Sequence, residues 1–205
     1  MATVQILTTG YVSGRVASTV TLLRDGDAVV VVDPGMVASR GLILDPLADA
    51  GVGADAVTDV VFSHHHPDHT LNAALFPQAR FHDHWAIYRD DVWEGRDADG
   101  YQLAPGIRLM RTPGHTAEDI STLVTTDTGL VVLTHLWWNA DGPADDPFAT
   151  DPEALAGSRR KVLDLDPALI IPGHGAAFSP GGHGSVIVER SLRCDDARCI
   201  AHGRC

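Results

Sequence analysis

Residues 60–70 read VVFSHHHPDHT, an apolar run that feeds straight into four histidines and an aspartate around one proline. Burying imidazoles without partners is costly, because each must be desolvated. His64 and His66 lie two residues apart in an extended stretch, so their side chains share a face and His65 takes the opposite one. Pro67 keeps the residue before it out of the helical region and itself suits the first position of a helix. Asp68 and His69 then fall in a first helical turn, where the helix dipole favours an anion. Two imidazoles on one arm and a carboxylate plus an imidazole on the next form two adjacent sets of metal-ligating groups.

Working outward, three further histidines obey one rule. His115 follows IRLMRTPG, His135 follows LVVLT, and His174 follows ALIIPG, each where an apolar strand ends. Strand ends with tight turns are where a rigid scaffold displays functional groups. A single histidine in such a place is more often a packed or surface residue than a ligand. Six in the same structural position point to a metal site.

The flanking pattern is rich in strands. TVQIL reads as one strand, and STVTLLRDGDAVVVVDPG as a hairpin turning at Asp25-Gly26. SRGLILDPLADAGV reads as a short helix that ends near a glycine, and AVTDVVF as a buried strand. TLNAALFP has helical spacing up to Pro77, ARFHDH and GIRLMRTPGH end further strands, and DISTLVTTDTGLVVLTH is a hairpin turning at Asp127–Gly129. An acidic loop, NADGPADDPFATD, precedes the amphipathic helix EALAGSRRKVLDLD and the short strand of PALIIPGHG. Frequent hairpins suit an α/β sandwich better than a doubly wound parallel sheet. We expect one domain over 1–180 and a C-terminal tail, partly flexible, over 181–205.

Composition narrows the function classes. A net charge of −12 argues against nucleic acid as a partner, which needs a basic face. Arg159, Arg160 and Lys161 form one short basic patch, read as a solvated helix face. No run approaches the roughly 18 apolar residues of a membrane span. MATVQILTTG has neither a basic leader nor a long apolar stretch, so the expectation is no signal peptide and a cytoplasmic location. The three cysteines, Cys194, Cys199 and Cys205, all fall in the tail; an odd number there makes no disulfide framework, and with His202 they match no zinc spacing.

The set His64-x-His66-x-Asp68-His69, then His115 in TPGHT and His174 in IPGHG, with Asp33 after an early strand in VVVVDPG, resembles the metallo-β-lactamase superfamily over roughly residues 15–178. The resemblance implies an αββα sandwich with the site along one edge of two packed sheets. It implies one metal on His64, His66 and His115, and a second on Asp68, His69 and His174, with Asp33 supporting them from behind. Two zinc ions suit imidazole and carboxylate ligands, and ligand type alone leaves iron and manganese open. The implied activity is that of a hydrolase with a metal-activated water as nucleophile, Asp68 guiding the proton.

One position departs from the pattern. Most relatives carry a metal-bridging aspartate where this chain has His135. A carboxylate has two oxygens and can bridge, whereas a neutral imidazole offers one lone pair. His135 is therefore expected as a terminal ligand of the second metal, which loses some charge compensation; Asp119 or an acidic-loop residue is the candidate to restore it. Trp137 and Trp138, directly after His135, read equally as pocket wall or as core. Trp85 and Trp93 read as packing residues, and His82 and His84 as supporting or surface groups. The acidic loop reads as a solvated connector.

The leading expectation is a metal-dependent hydrolase of a small ester, thioester or lactone. A phosphodiesterase or nuclease is the alternative that the acidic charge disfavours, and a metal-binding protein weakened in catalysis by His135 is the third.

Overall fold

A computed structural model describes residues 1–181. The 181–205 segment expected as a tail, with its three cysteines, therefore lies almost wholly outside the described residues.

Two sheets form the frame. The first contains β1 (Thr3–Thr8), β4 (Val20–Asp25), β5 (Ala28–Val32), β6 (Asp59–Val61), β7 (Arg80–His82), β8 (Ala86–Arg89) and β9 (Val92–Gly95), in that spatial order. The second runs β10 (Gln102–Ala104), β11 (Ile107–Arg111), β12 (Ile120–Thr126), β13 (Gly129–Thr134), β14 (Leu169–Pro172). A small hairpin of β2 (Tyr11–Ser13) and β3 (Arg15–Ala17) turns at Gly14, whose φ of 57° is left-handed. Side chains alternate across each strand and assign the layers. Leu23, Val30, Val32 and Val61 of the first sheet meet Leu109, Val124, Val131, Leu133 and Ile171 of the second in one buried core. Their neighbours Leu22, Val31 and Val60 point outward and pack on Ile43 and Leu47 of helix α1 (Gly41–Asp49). On the far side, Met110, Leu123, Val132 and Ile170 pack on Leu155 and Val162 of helix α3 (Pro152–Leu163). The result is helix, sheet, sheet, helix: the expected αββα sandwich.

Local chemistry explains the elements. Helix α3 starts where the Asp151 carboxylate accepts the amide of Ala154, with Pro152 next and Glu153 in the first turn; Arg160 and Lys161 close the last turn. The β4–β5 turn at Gly26, with φ of 60°, and the Asp127–Gly129 turn fall where the sequence places them.

Several expectations need correction. TLNAALFP does not continue a helix: α2 is only Pro67–Thr70, followed by a short 3-10 turn over Ala73–Leu75. Asn72 breaks the run, because its amide donates to Pro34 O and its side chain to Gly35 O. Trp85 and Trp93 are not packed inside. They are 55% and 56% exposed, beside the β8–β9 hairpin, with Trp93 in β9 itself. The hairpin is hard to see in the sequence because Asp90, at a φ of 54°, takes a place usually filled by glycine. His82 is fully buried and paired with Asp59 at 2.8 Å, a structural contact away from the metal-ligating groups; His84 stacks on Trp85.

Candidate metal centre

The groups singled out in the sequence converge at one edge of the sandwich. Asp33 follows β5, residues 64–69 follow β6, His115 follows β11, His135 follows β13, and His174 follows β14. The pairs β5–β6 and β13–β14 are parallel, so their carboxyl ends open on the same edge.

His64, His66 and His115 form one group, and Asp68, His69 and His174 a second, each with ligand atoms within 4.8 Å of one another. In the first, His66 Nδ1 lies 3.0 Å from His64 Nε2 and 3.2 Å from His115 Nε2. In the second, Asp68 Oδ2 lies 3.5 Å from both His69 Nε2 and His174 Nε2. His64, His69, His115 and His174 are buried, while His66 is exposed, which leaves the centre accessible from that side.

Three of the buried imidazoles are oriented from behind. His69 Nδ1 is 2.9 Å from Asp33 Oδ2, His115 Nδ1 is 2.7 Å from Asp146 Oδ2, and His174 Nδ1 is 2.9 Å from the carbonyl oxygen of Ala17. Those acceptors hold a proton on Nδ1 and turn Nε2 inward, where its lone pair can serve a cation that displaces any proton there. The Asp33 carboxylate also accepts the amide of Ser63, fixing the start of the histidine arm. Gly35, in the DPG turn, is pressed so closely on the arm that a Cβ there would fall 1.7 Å from Asp68 O.

Electrostatics keeps most of these rings neutral. Burial, followed by the neighbouring imidazoles, pushes His64 and His135 well below the ordinary histidine pKa, and burial also lowers His115 and His174. His69 is the exception. Burial works against its charged form, yet Asp33 and Asp68 outweigh it and raise the pKa to about 9. Asp68 is held down to about 2 by His69 and His174 against the opposing effect of burial. Burial lifts Asp119 to about 7, against hydrogen bonds from Thr116. Asp119 sits 3.9 Å from His64 Nδ1, beyond hydrogen-bond reach and beside a ring pushed toward its neutral form, so the two make no ion pair.

The donor set fits a metal. His69 Nε2 and His135 Nδ1 are buried side-chain atoms with no hydrogen-bond partner among the described residues, a costly state for polar groups. Neutral imidazoles with inward lone pairs and one carboxylate are what borderline divalent cations bind. His135 lies between the two groups: it forms a third possible donor group with His64 and His69, and its Nε2 is 3.0 Å from His174 Nε2. Its ring fits against Gly173, where a Cβ would come within 2.4 Å of Cδ2.

The surroundings refine other expectations. His65 points away from the donors, as its place in the extended arm implies, and sits between Glu118 at 3.0 Å and Asp83 at 3.4 Å. The two tryptophans divide: Trp137 packs with Phe178 on the α3 side of the second sheet, whereas Trp138 stands perpendicular to His174 at 6.5 Å. The acidic loop is more than a connector, since Asp146 orients His115 and also accepts Trp138 Nε1–H at 3.2 Å. Nor is the whole basic patch solvated: Arg159 donates to the carbonyls of Leu136, Pro143 and Ala144. Asp146 was not singled out individually in the sequence, although its loop was. One acid among several in a loop carries no spacing signal.

The edge-on double donor set on an αββα sandwich defines a metallo-β-lactamase-type fold, and the family model for the metallo-beta-lactamase superfamily matches residues 13–120. The chain belongs to that superfamily. It is 34% identical over 180 residues to the Xenopus laevis metallo-beta-lactamase domain-containing protein 1, covering 84% of this chain and 76% of the frog protein. It is 34% identical over 157 residues to the Homo sapiens protein of the same name, covering 73% of this chain and 59% of the human one. Among solved structures, a metallo-beta-lactamase family protein of Thermus thermophilus superposes with a TM-score of 0.65 at 18% identity, covering 86% of this chain and 74% of that one. A quorum-quenching N-acyl homoserine lactone lactonase superposes with a TM-score of 0.63 at 20% identity, covering 84% and 91%. At such identities the likeness is one of fold.

Proposed function

We propose that the protein is a metal-dependent hydrolase of a small ester, thioester or lactone, with two zinc ions as its working complement. The observation that carries this reading is the set of inward-facing Nε2 atoms on rings whose Nδ1 atoms are already engaged, gathered with Asp68 at a solvent-accessible edge. His64, His66 and His115 would hold one ion and Asp68, His69 and His174 the other, with His135 as a further ligand. Cations held there would supply Lewis acidity, making a water nucleophile available near neutral pH and polarising the scissile carbonyl. Asp68, ionised at neutral pH, acts as a hydrogen-bond acceptor that orients the attacking water and guides its proton. Asp33 and Asp146 keep His69 and His115 in the tautomer that presents Nε2.

The partner is then a small molecule. A net charge of −12 opposes a nucleic-acid substrate, which ranks the phosphodiesterase reading second. One observation favours a metal-binding protein of weakened catalysis, the imidazole of His135 between the two sets, because it brings no negative charge. Purification without added metal, elemental analysis, and a panel of lactone, thioester, ester and phosphodiester substrates test the proposal. Turnover of the carbonyl substrates that is lost on chelation and regained with zinc is expected; turnover of phosphodiesters alone, or none in zinc-loaded protein, would overturn it.

A further inference from the structure

Phe148 is 67% exposed, within a loop whose other prominent side chains are Asp141, Asp145, Asp146 and Asp151. Its ring is nonetheless ordered by two contacts. It stacks on Trp138 at 5.8 Å with 18° between the planes, and its amide donates to Asp146 Oδ1 at 2.9 Å. Trp138 in turn stands edge-on to His174 and donates to Asp146 Oδ2, the oxygen that also receives His115. Trp138 therefore lies against His174 of one donor set and is joined through Asp146 to His115 of the other, with Phe148 stacked on it.

The loop that carries it is preformed. Arg159 gathers three of its neighbouring carbonyls, and the amides of Thr150 and Asp151 donate to His115 O and Gly114 O. The guanidinium's donors are engaged by this bracing, and its charge is shared with Asp145 and Asp146 of the same loop. Asp141 and Asp145 remain exposed on the same loop. A wall of two stacked rings flanked by free carboxylates attracts apolar surface and repels anions.

We propose that Trp138 and Phe148 form a specificity wall that receives the hydrocarbon part of an uncharged substrate whose carbonyl lies at the metal centre. The inference rests on the hydrolase reading and adds the substrate's chemical character: acyl or aryl, and neutral near the scissile bond. Contact with a wall on one side of a chain removes about half of the apolar surface from water. The rate gain per methylene is then about two-fold, against about four-fold for complete burial.

The test is the dependence of kcat/KM on acyl length for p-nitrophenyl acetate, butanoate, hexanoate and octanoate, with zinc-loaded wild type, Phe148→Ser and Phe148→Leu. Because Phe148 is exposed, these variants are expected to fold and to keep their metal content. Wild type should gain about two-fold per methylene, Phe148→Leu should keep most of that slope, and Phe148→Ser should flatten it. An equal slope in wild type and Phe148→Ser would overturn the proposal, as would bis(p-nitrophenyl) phosphate being the better substrate. If no p-nitrophenyl ester is turned over, the lactone and thioester substrates decide the hydrolase reading separately, and binding decides the wall. Octanohydroxamic acid should then bind the zinc-loaded protein at least about ten-fold more tightly than acetohydroxamic acid, with the ratio collapsing in Phe148→Ser. An unchanged ratio would overturn it.

Discussion

At the residue scale, His135 is the position on which the proposed second metal would depend. Its Nε2 is 3.0 Å from His174 Nε2, while its Nδ1 is buried with no partner among the described residues. The ring can serve one cation through one lone pair, but it cannot share charge between two as a carboxylate does. His135→Ala is therefore expected to lose the second metal equivalent and keep the first, whereas His135→Asp should tighten the second. Metal content and competition with a chromophoric chelator decide this; identical stoichiometry and affinity in all three proteins would show that His135 touches no metal. His65 makes the opposite case, because it reaches Glu118 and Asp83 and not the donors. His65→Ala should leave both metals in place and cost little activity, and a loss comparable with that of His64→Ala would refute the outward orientation. Asp146→Ala should weaken metal at His64, His66 and His115 by about ten- to a hundred-fold, the usual effect of removing a carboxylate behind a ligating histidine. Undiminished affinity in that variant would mean that His115 is oriented without it.

At the scale of elements, the strands that carry the ligands were legible because each is an apolar run stopped by a turn. The motif at 64–69 was legible because period-two spacing and a proline fix the faces of a short segment. The placement of His135 between the donor sets was not legible, since it depends on β13 and β14 pairing in parallel and on Gly173 making room for the ring. The role of Asp146 was hidden for a similar reason: the bonds that fold its loop back come from Arg159, Thr150 and Asp151, and only tertiary contact reveals them. The truncated helix after Thr70 shows local spacing overridden by Asn72 bonding across to Pro34 and Gly35. Gly173→Ala tests the element-level account. Its Cβ would meet His135 Cδ2 at 2.4 Å, so the ring must move. The variant should weaken the second metal as His135→Ala does while retaining the first; wild-type affinity at both would contradict the packing described.

At the scale of the whole molecule, the two sheets bring four separate strand ends to one edge, so metal bound there ties together segments that are distant in sequence. Ligand that binds only the folded state stabilises it by about 2.7 kcal/mol at a hundred-fold excess over Kd. For a chain of this size that corresponds to about 5–10 °C in Tm per ion, which calorimetry with and without chelator would register. Among the described residues no helix is long and apolar enough to cross a membrane. We propose that the convergent imidazoles and Asp68 form a two-metal centre. Elemental analysis of the purified, zinc-supplied protein beside His115→Ala tests it most directly. Two equivalents of transition metal in the wild type, and at least one fewer in His115→Ala, are predicted; a wild type that holds no stoichiometric metal, or a variant that holds as much as the wild type, would contradict it.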